Sequence, residues 1–334
     1  MDLSVTWLGL RLPHPLLPGA SPLADDLDSV RRLQDAGAPA IVLRSLFEEQ
    51  LAREQLGALR HAWGQAANAE ASSWLPEAER FAFTPEEYLE HVARVRDATG
   101  LPVIASLNGT TRGGWTRHAA LLQQAGAAAL ELNLFEVPTD PREDAASIEA
   151  RLLDVVHDVR GTVSMPLAVK LSPGFTAPAN FVARLEQAGA DGVVLFNRGF
   201  EPELDVEALD VRRAPPLSTP AELAQRLRWL AIVSATTRVP LACSGGVHAP
   251  LDALRALMAG ATVVQVVSCL LQHGPGHLRV LLDGLRFWVE DHEYTTMEQV
   301  VGSLNLARCP DPREYERANY MAQLHAWHAS DAGS

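Results

Sequence analysis

Two short phrases recur along the chain in alternation, and together they narrow the fold more than any other feature of the sequence. The first is a helix end, then Gly-Ala, then an apolar run: DAGAPAIVLR around Gly37, QAGAAALELN around Gly126, QAGADGVVLFN around Gly189 and MAGATVVQVVS around Gly260. Glycine suits the left-handed position that closes a helix, and the apolar run after it reads as a strand buried on both faces. The second phrase is a proline, three or four mostly apolar residues and a polar or glycine-rich exit. It appears as PLLPGAS from Pro15, PVIASLNG from Pro102, PLAVKLSPG from Pro166 and PLACSGG from Pro240. Interleaved, the two phrases give eight short strands.

Amphipathic stretches with helix-start signals lie between most of the strands. In TPEEYLEHVARV, Thr84 is the N-cap, Pro85 occupies the first turn and Glu87 follows three residues after the cap; Thr219, Pro220 and Glu222 repeat that logic. Eight strands alternating with helices predict an α/β fold, a (β/α)8 TIM barrel, with an open doubly wound sheet as the competing architecture. Each phrase recurs four times, which favours a closed barrel whose odd and even strands alternate in layers. Two excursions interrupt the pattern, residues 45–83 after strand 2 and residues 198–216 after strand 6, and both leave from the end where such barrels place active sites. The segments PGHLRVLLDGLRFWVEDH and TMEQVVGSL read as the last barrel helix and a short extra helix. One domain over residues 1–328 is expected, with ASDAGS (329–334) as a frayed tail.

Net charge is −13, against the basic surface needed to hold nucleic acid through its phosphates. No stretch reads as a signal peptide or a membrane span, so a soluble cytoplasmic protein is expected, with a small-molecule substrate, no nucleic acid and no membrane partner. A homodimer is compatible with the sequence. Cys243, Cys269 and Cys309 lack metal or disulfide spacing and read as reduced, mostly packed residues. His273 with His277 and His325 with His328 lack ligand partners, so no metal is expected.

In a barrel of this kind chemistry sits where the strands finish. The exits are Ala20 and Ser21, Arg44 and Ser45, Ser106 and Asn108, Asn133, Lys170, Asn197, Gly245 and Gly246, and Ser268. Gly245 and Gly246 follow an apolar strand and open a helix, so their bare backbone can approach an anion; with Ser268 at the end of strand 8 and a helix near Gly274, they mark a phosphate site. Lys170 is the only lysine among 28 basic residues. It follows the apolar run LAV inside a strand, in a chain that writes its other cations as arginine, so a compact ammonium is required there. It could form a Schiff base with a carbonyl substrate or donate to an electron-rich cofactor ring. The surrounding asparagines favour the cofactor, since a Schiff-base enzyme would usually place a carboxylate beside its lysine.

ELNL (131–134), VKLSPGF (169–175), LFN (195–197), SGGV (244–247) and AGATVVQVVS together resemble the FMN-dependent dihydroorotate dehydrogenase family, class 1-like. The similarity is greatest to its divergent dihydroorotate dehydrogenase-like members, which share SLFEEQ, SLNG and ERANY. The resemblance implies an FMN across the barrel mouth and hydride transfer with dihydroorotate or a related dihydropyrimidine. Ala20 and Ser21 would meet the flavin ring, Asn133 the ring or ribityl chain, and Lys170 the N1/O2 side, while Gly245, Gly246 and Ser268 would hold the phosphate. Arg44, Ser45 and Asn108 complete the expected cofactor contacts. Asn197 and Arg198 would face the substrate, and Arg212 and Arg213 are further candidates to meet a carboxylate.

The departures fall mainly on the substrate side. Class 1 enzymes continue from NL into Ser-Cys-Pro-Asn and use that cysteine as base; here Glu136 stands at the cysteine position and is the candidate base. AWGQAANAEASSW replaces the substrate loop expected after strand 2, and Val267 replaces a glycine near the phosphate. A Schiff-base lyase using Lys170 and a non-catalytic flavin-binding electron-transfer subunit are the alternatives.

Overall fold

The computed structural model describes residues 1–50, 82–109, 115–198, 203–212, 217–317 and 319–321. It opens with a hairpin absent from the sequence-based expectations, β1 (Val5–Trp7) paired antiparallel with β2 (Leu10–Leu12). Then come β3 (Leu16–Pro18), β4 (Ile41–Val42), β5 (Leu46–Phe47), β6 (Val103–Asn108), β7 (Ala129–Leu134), β8 (Leu167–Leu171) and β9 (Gly192–Leu195). A second hairpin, β10 (Glu203–Asp205) with β11 (Asp210–Arg212), precedes β12 (Leu241–Ser244) and β13 (Val263–Val266).

The hydrogen-bonded order is β3, β13, β12, β9, β8, β7, β6, β4, with every pairing parallel. Strands β3 and β4 lie side by side and complete the ring. The protein is a (β/α)8 barrel, and its eight strands are those the two phrases mark. The phrase glycines Gly37, Gly126, Gly189 and Gly260 all have positive φ, as a helix-closing position requires.

The helices are α1 (Leu27–Asp35), α2 (Pro85–Thr99), α3 (Trp115–Gln124), α4 (Ala145–Arg160), α5 (Pro178–Gln187), α6 (Leu223–Ser234), α7 (Pro250–Ala259), α8 (Ser268–His273), α9 (His277–Asp291) and α10 (Met297–Val300). Thr84 caps α2 as its sequence predicts: its Oγ1 accepts from Glu87 N at 3.3 Å, and Glu87 Oε2 accepts from Thr84 N at 2.8 Å. Strand 8 ends earlier than expected, so Ser268 is the first residue of α8 and not the strand's last.

The N-terminal hairpin closes the floor of the barrel. Trp7 is buried, and a Cβ on Gly192 would lie 2.8 Å from its indole and 2.9 Å from Leu8. Strand 2 splits into β4 and β5, which leaves Ser106 of β6 without a partner on that side. The Tyr88 hydroxyl of α2 fills the gap, accepting from Ser106 N at 3.0 Å and donating to Ser106 O at 3.2 Å. An unpaired buried peptide group would cost about 1–3 kcal/mol. Most of the excursion at 45–83, the tail at 329–334, Arg213, His325 and His328 lie outside the described residues.

Candidate active site

Register sets which strand residues share the barrel interior. Asn108 pairs with Asn133, and Asn133 with Lys170, so the three sit in one row near the strand exits; Ser106 and Glu131 form the row beneath. The Lys170 ammonium donates to Glu131 Oε1 at 3.2 Å and to Gln265 Oε1 at 3.0 Å, and Gln265 Nε2 donates to Glu131 Oε2 at 2.5 Å. All three side chains are buried, with Glu131 only 1% exposed. The bonds tie β7, β8 and β13 together across the interior. Removing one partner would strand a buried charge, at a cost of about 3–5 kcal/mol.

Glu131 and Gln265 correct the sequence reading, which placed no carboxylate beside the lysine. Glu131 is the one charged residue of the strand ALELNL and Gln265 the one polar residue of VVQV, and that anomaly was the available signal. Next to Lys170 in register, Asn133 is 6% exposed and its Oδ1 has no partner among the described residues. A buried amide oxygen left unpaired is costly unless a ligand meets it.

The two glycines after β12 have φ of +91° and +80°. A Cβ on Gly246 would lie 2.7 Å from Leu223 N, at the start of α6. Gly246 N donates to Ser218 Oγ at 3.2 Å; Ser218 Oγ lies 2.7 Å from Ser268 Oγ, which accepts from Ser218 N at 3.0 Å. An N–H and two hydroxyls therefore converge beside a helix start, the ordinary chemistry of an anion site. Ser218, buried in the loop before α6, escaped the sequence reading because nothing in LSTP distinguishes it from a cap.

Behind the turn lies Arg226 of α6, 4% exposed, donating to Ser244 O and, at 2.7 Å, to Glu222 O. Burial pushes its guanidinium below the ordinary arginine value. The sequence reading passed over it as one arginine among many.

The remaining predicted residues are spread around the rim. Ser21 is buried at the start of a 3-10 turn, and Ala20 is half-buried. Arg44 pairs with Asp25 at 3.3 Å; burial raises the Asp25 pKa and Arg44 opposes the rise. Ser45 Oγ lies 2.7 Å from Ser106 Oγ. Asn197 N donates to Leu171 O at 2.6 Å, and Arg198 Nε sits 3.9 Å from Glu222 Oε2. Arg212 is on the β10–β11 hairpin, whose Leu204, Val206 and Leu209 are exposed.

Glu136 is drawn to helix α4. One carboxylate oxygen pairs with Arg151, which also holds Glu143 at 2.8 Å, and the other is buried without a partner among the described residues. It lines an open cleft of about 550 Å³ with Leu134, Ile148, Leu152 and Phe175, on the α4 side of the rim. The structure does not bring it to Lys170. Burial pushes the Cys243 thiol up to about 12 and the Cys269 thiol up to about 11, so both stay protonated as packed residues.

A family model described as dihydroorotate dehydrogenase matches residues 84–287. The chain belongs to the dihydroorotate dehydrogenase family. It is 26% identical to the dihydroorotate dehydrogenase B (NAD(+)) catalytic subunit of Endomicrobium trichonymphae over 92% of this chain and 98% of the relative. For the protein of the same description from Thermoplasma acidophilum the figures are 25%, 90% and 98%. A dihydropyrimidine dehydrogenase (NADP(+)) of Arabidopsis thaliana is 23% identical over 90% of this chain and 76% of its own length. Family membership makes the protein an oxidoreductase of the dihydroorotate dehydrogenase type. Among the described residues, no helix is long and apolar enough to cross a membrane.

Proposed function

We propose that this oxidoreductase uses FMN, seated across the barrel mouth, to exchange hydride with a small dihydropyrimidine-like substrate. The observation that carries this reading is the buried Asn133 Oδ1, unpartnered among the described residues, in register with Lys170 and in the same row as Asn108. A flavin ring edge offers both an N–H for that oxygen and acceptors for that ammonium. The cradle of Gly246 N, Ser218 and Ser268 fits the phosphate. Gly245, Ala20, Ser21, Arg44 and Ser45 complete the proposed cofactor contacts.

Bound FMN supplies the hydride acceptor for a CH–CH bond whose second hydrogen leaves as a proton. Lys170 holds positive charge at the ring edge where reduction places negative charge, and Glu131 with Gln265 fixes the ammonium there. Asn197 and Arg198 are proposed to face the substrate from the exit of β9. The structure favours Glu136 as an anchor of the loop after β7, through Arg151, over its role as base.

The Glu131 carboxylate beside Lys170 is the one feature that favours a Schiff-base reaction, and borohydride trapping with carbonyl substrates tests it. No other lysine could take up the label. The primary experiment is an absorbance spectrum of the purified protein, followed by anaerobic titration with dihydroorotate and dihydrouracil. A yellow protein that bleaches with one of them supports the proposal. A colourless protein that takes up no FMN ends it, and bound FMN that neither compound reduces reassigns the chain as a flavin-binding electron-transfer subunit.

A further inference from the structure

We infer that Arg226 makes the mouth selective for a phosphorylated ligand, as a positioning residue acting from behind the Gly245–Gly246 turn. This rests on the flavin reading above. Two observations carry it.

The first is fit. A Cβ on Gly245 would lie 2.7 Å from Arg226 Nη2 and 2.9 Å from its Nε, so the guanidinium is packed directly against the turn. Its donation to Ser244 O fixes the residue from which the turn departs, and its donation to Glu222 O fixes the start of α6. Gly246 N, which enters the anion cradle, is thereby held from both sides.

The second is charge. Both of those hydrogen bonds go to neutral carbonyls. Among the described residues, the carboxylate paired with Arg226 is Glu222, which lies 3.8 Å from Arg226 Nη2 and is shared with Arg198 at 3.9 Å. Two guanidiniums on one carboxylate leave a net positive charge in the wall of the mouth, while the neighbouring Cys243 thiol stays neutral. Because the Arg226 guanidinium itself is buried, its charge acts on a phosphate seated at the turn and hardly at all on a neutral ligand.

The experiment compares FMN and riboflavin binding by fluorescence quenching in the unaltered protein, Arg226→Met and Glu222→Gln. Arg226→Met is expected to weaken FMN binding about tenfold, as a charge-assisted contribution near 1.4 kcal/mol would, and to leave riboflavin within about twofold. Glu222→Gln keeps the oxygen that caps Thr219 N but removes the opposing charge, so FMN should bind about two- to threefold tighter with riboflavin unchanged. Equal losses for both flavins in Arg226→Met, or weaker or unchanged FMN binding in Glu222→Gln, overturn the proposal. Should Arg226→Met fail to fold, the sign of the Glu222→Gln effect decides alone. An unaltered protein that binds neither flavin removes the flavin reading itself and this inference with it.

Discussion

The two sides of the barrel mouth are built on different principles. The proposed phosphate side, formed by β12, β13 and the start of α6, is a buried wall in which Gly246, Ser218 and Ser268 meet one another and Arg226 holds Ser244 O and Glu222 O. The side formed by the segments after β4, β7 and β9 is held by half-buried ion pairs: Arg44 to Asp25, Glu136 to Arg151, Arg198 to Glu222. A cofactor present in every turnover favours the first design, because preorganised donors need no rearrangement. Substrate choice can sit in the second, since ion pairs at the rim are worth little individually and can be rewritten without unfolding the barrel.

The test that would most damage this contrast is Lys170→Arg. It keeps the charge but forces a larger, planar group into a site shaped by Glu131 and Gln265, so flavin reduction is expected to slow about a hundredfold or more in anaerobic stopped-flow measurements. Normal FMN binding with a normal reduction rate would show that the buried cluster serves packing alone. Gly246→Ala comes next. It combines φ of +80° with a 2.7 Å approach to the Leu223 backbone, so thermal unfolding should show a loss of about 1–3 kcal/mol, together with weakened FMN binding.

Acid sensitivity should arise at the barrel's base, outside both sides of the mouth. His14 is buried, accepts from Leu16 N at its Nδ1 and lies 2.7 Å from Gly37 O through its Nε2, and burial holds its pKa below the ordinary 6.5. The unfolded chain takes up that proton as pH falls through about 6.5 while the folded chain does not, so stability declines from there until the folded ring also titrates. His14→Gln should flatten that part of a plot of melting temperature against pH, and an unchanged slope would locate the sensitivity elsewhere. The smallest effect is expected from Glu136→Gln, with a change in flavin reduction rate below about threefold. A general base would instead cost about a hundredfold or more, and a loss of that size would return Glu136 to the chemistry.

Legibility followed the same division. Gly245, Gly246, Lys170 and Asn133 stood out in the text because each breaks a local rule, a paired glycine after a strand or a polar residue at a strand's end. Glu131 and Gln265 also broke a rule, but Glu131 lies three residues inside its strand and Gln265 three residues before Ser268, the exit assigned to strand 8, where the exit criterion did not look. Ser218 and Arg226 broke none. A serine before Thr-Pro and an arginine on an amphipathic helix are unexceptional locally, and only the closure of α6 against β12 makes them part of a wall.

The sequence by itself determined the barrel, since the alternation of two strand phrases with capped helices depends on local backbone preference and on hydrophobic burial, both written in short windows. It also determined that one ammonium stands near the exit of the fifth strand. The tertiary structure alone decided what surrounds that ammonium. Residues 131, 170 and 265 meet because parallel register and ring closure bring β7, β8 and β13 around one axis, and contacts of such long sequence separation leave no periodic trace in the chain.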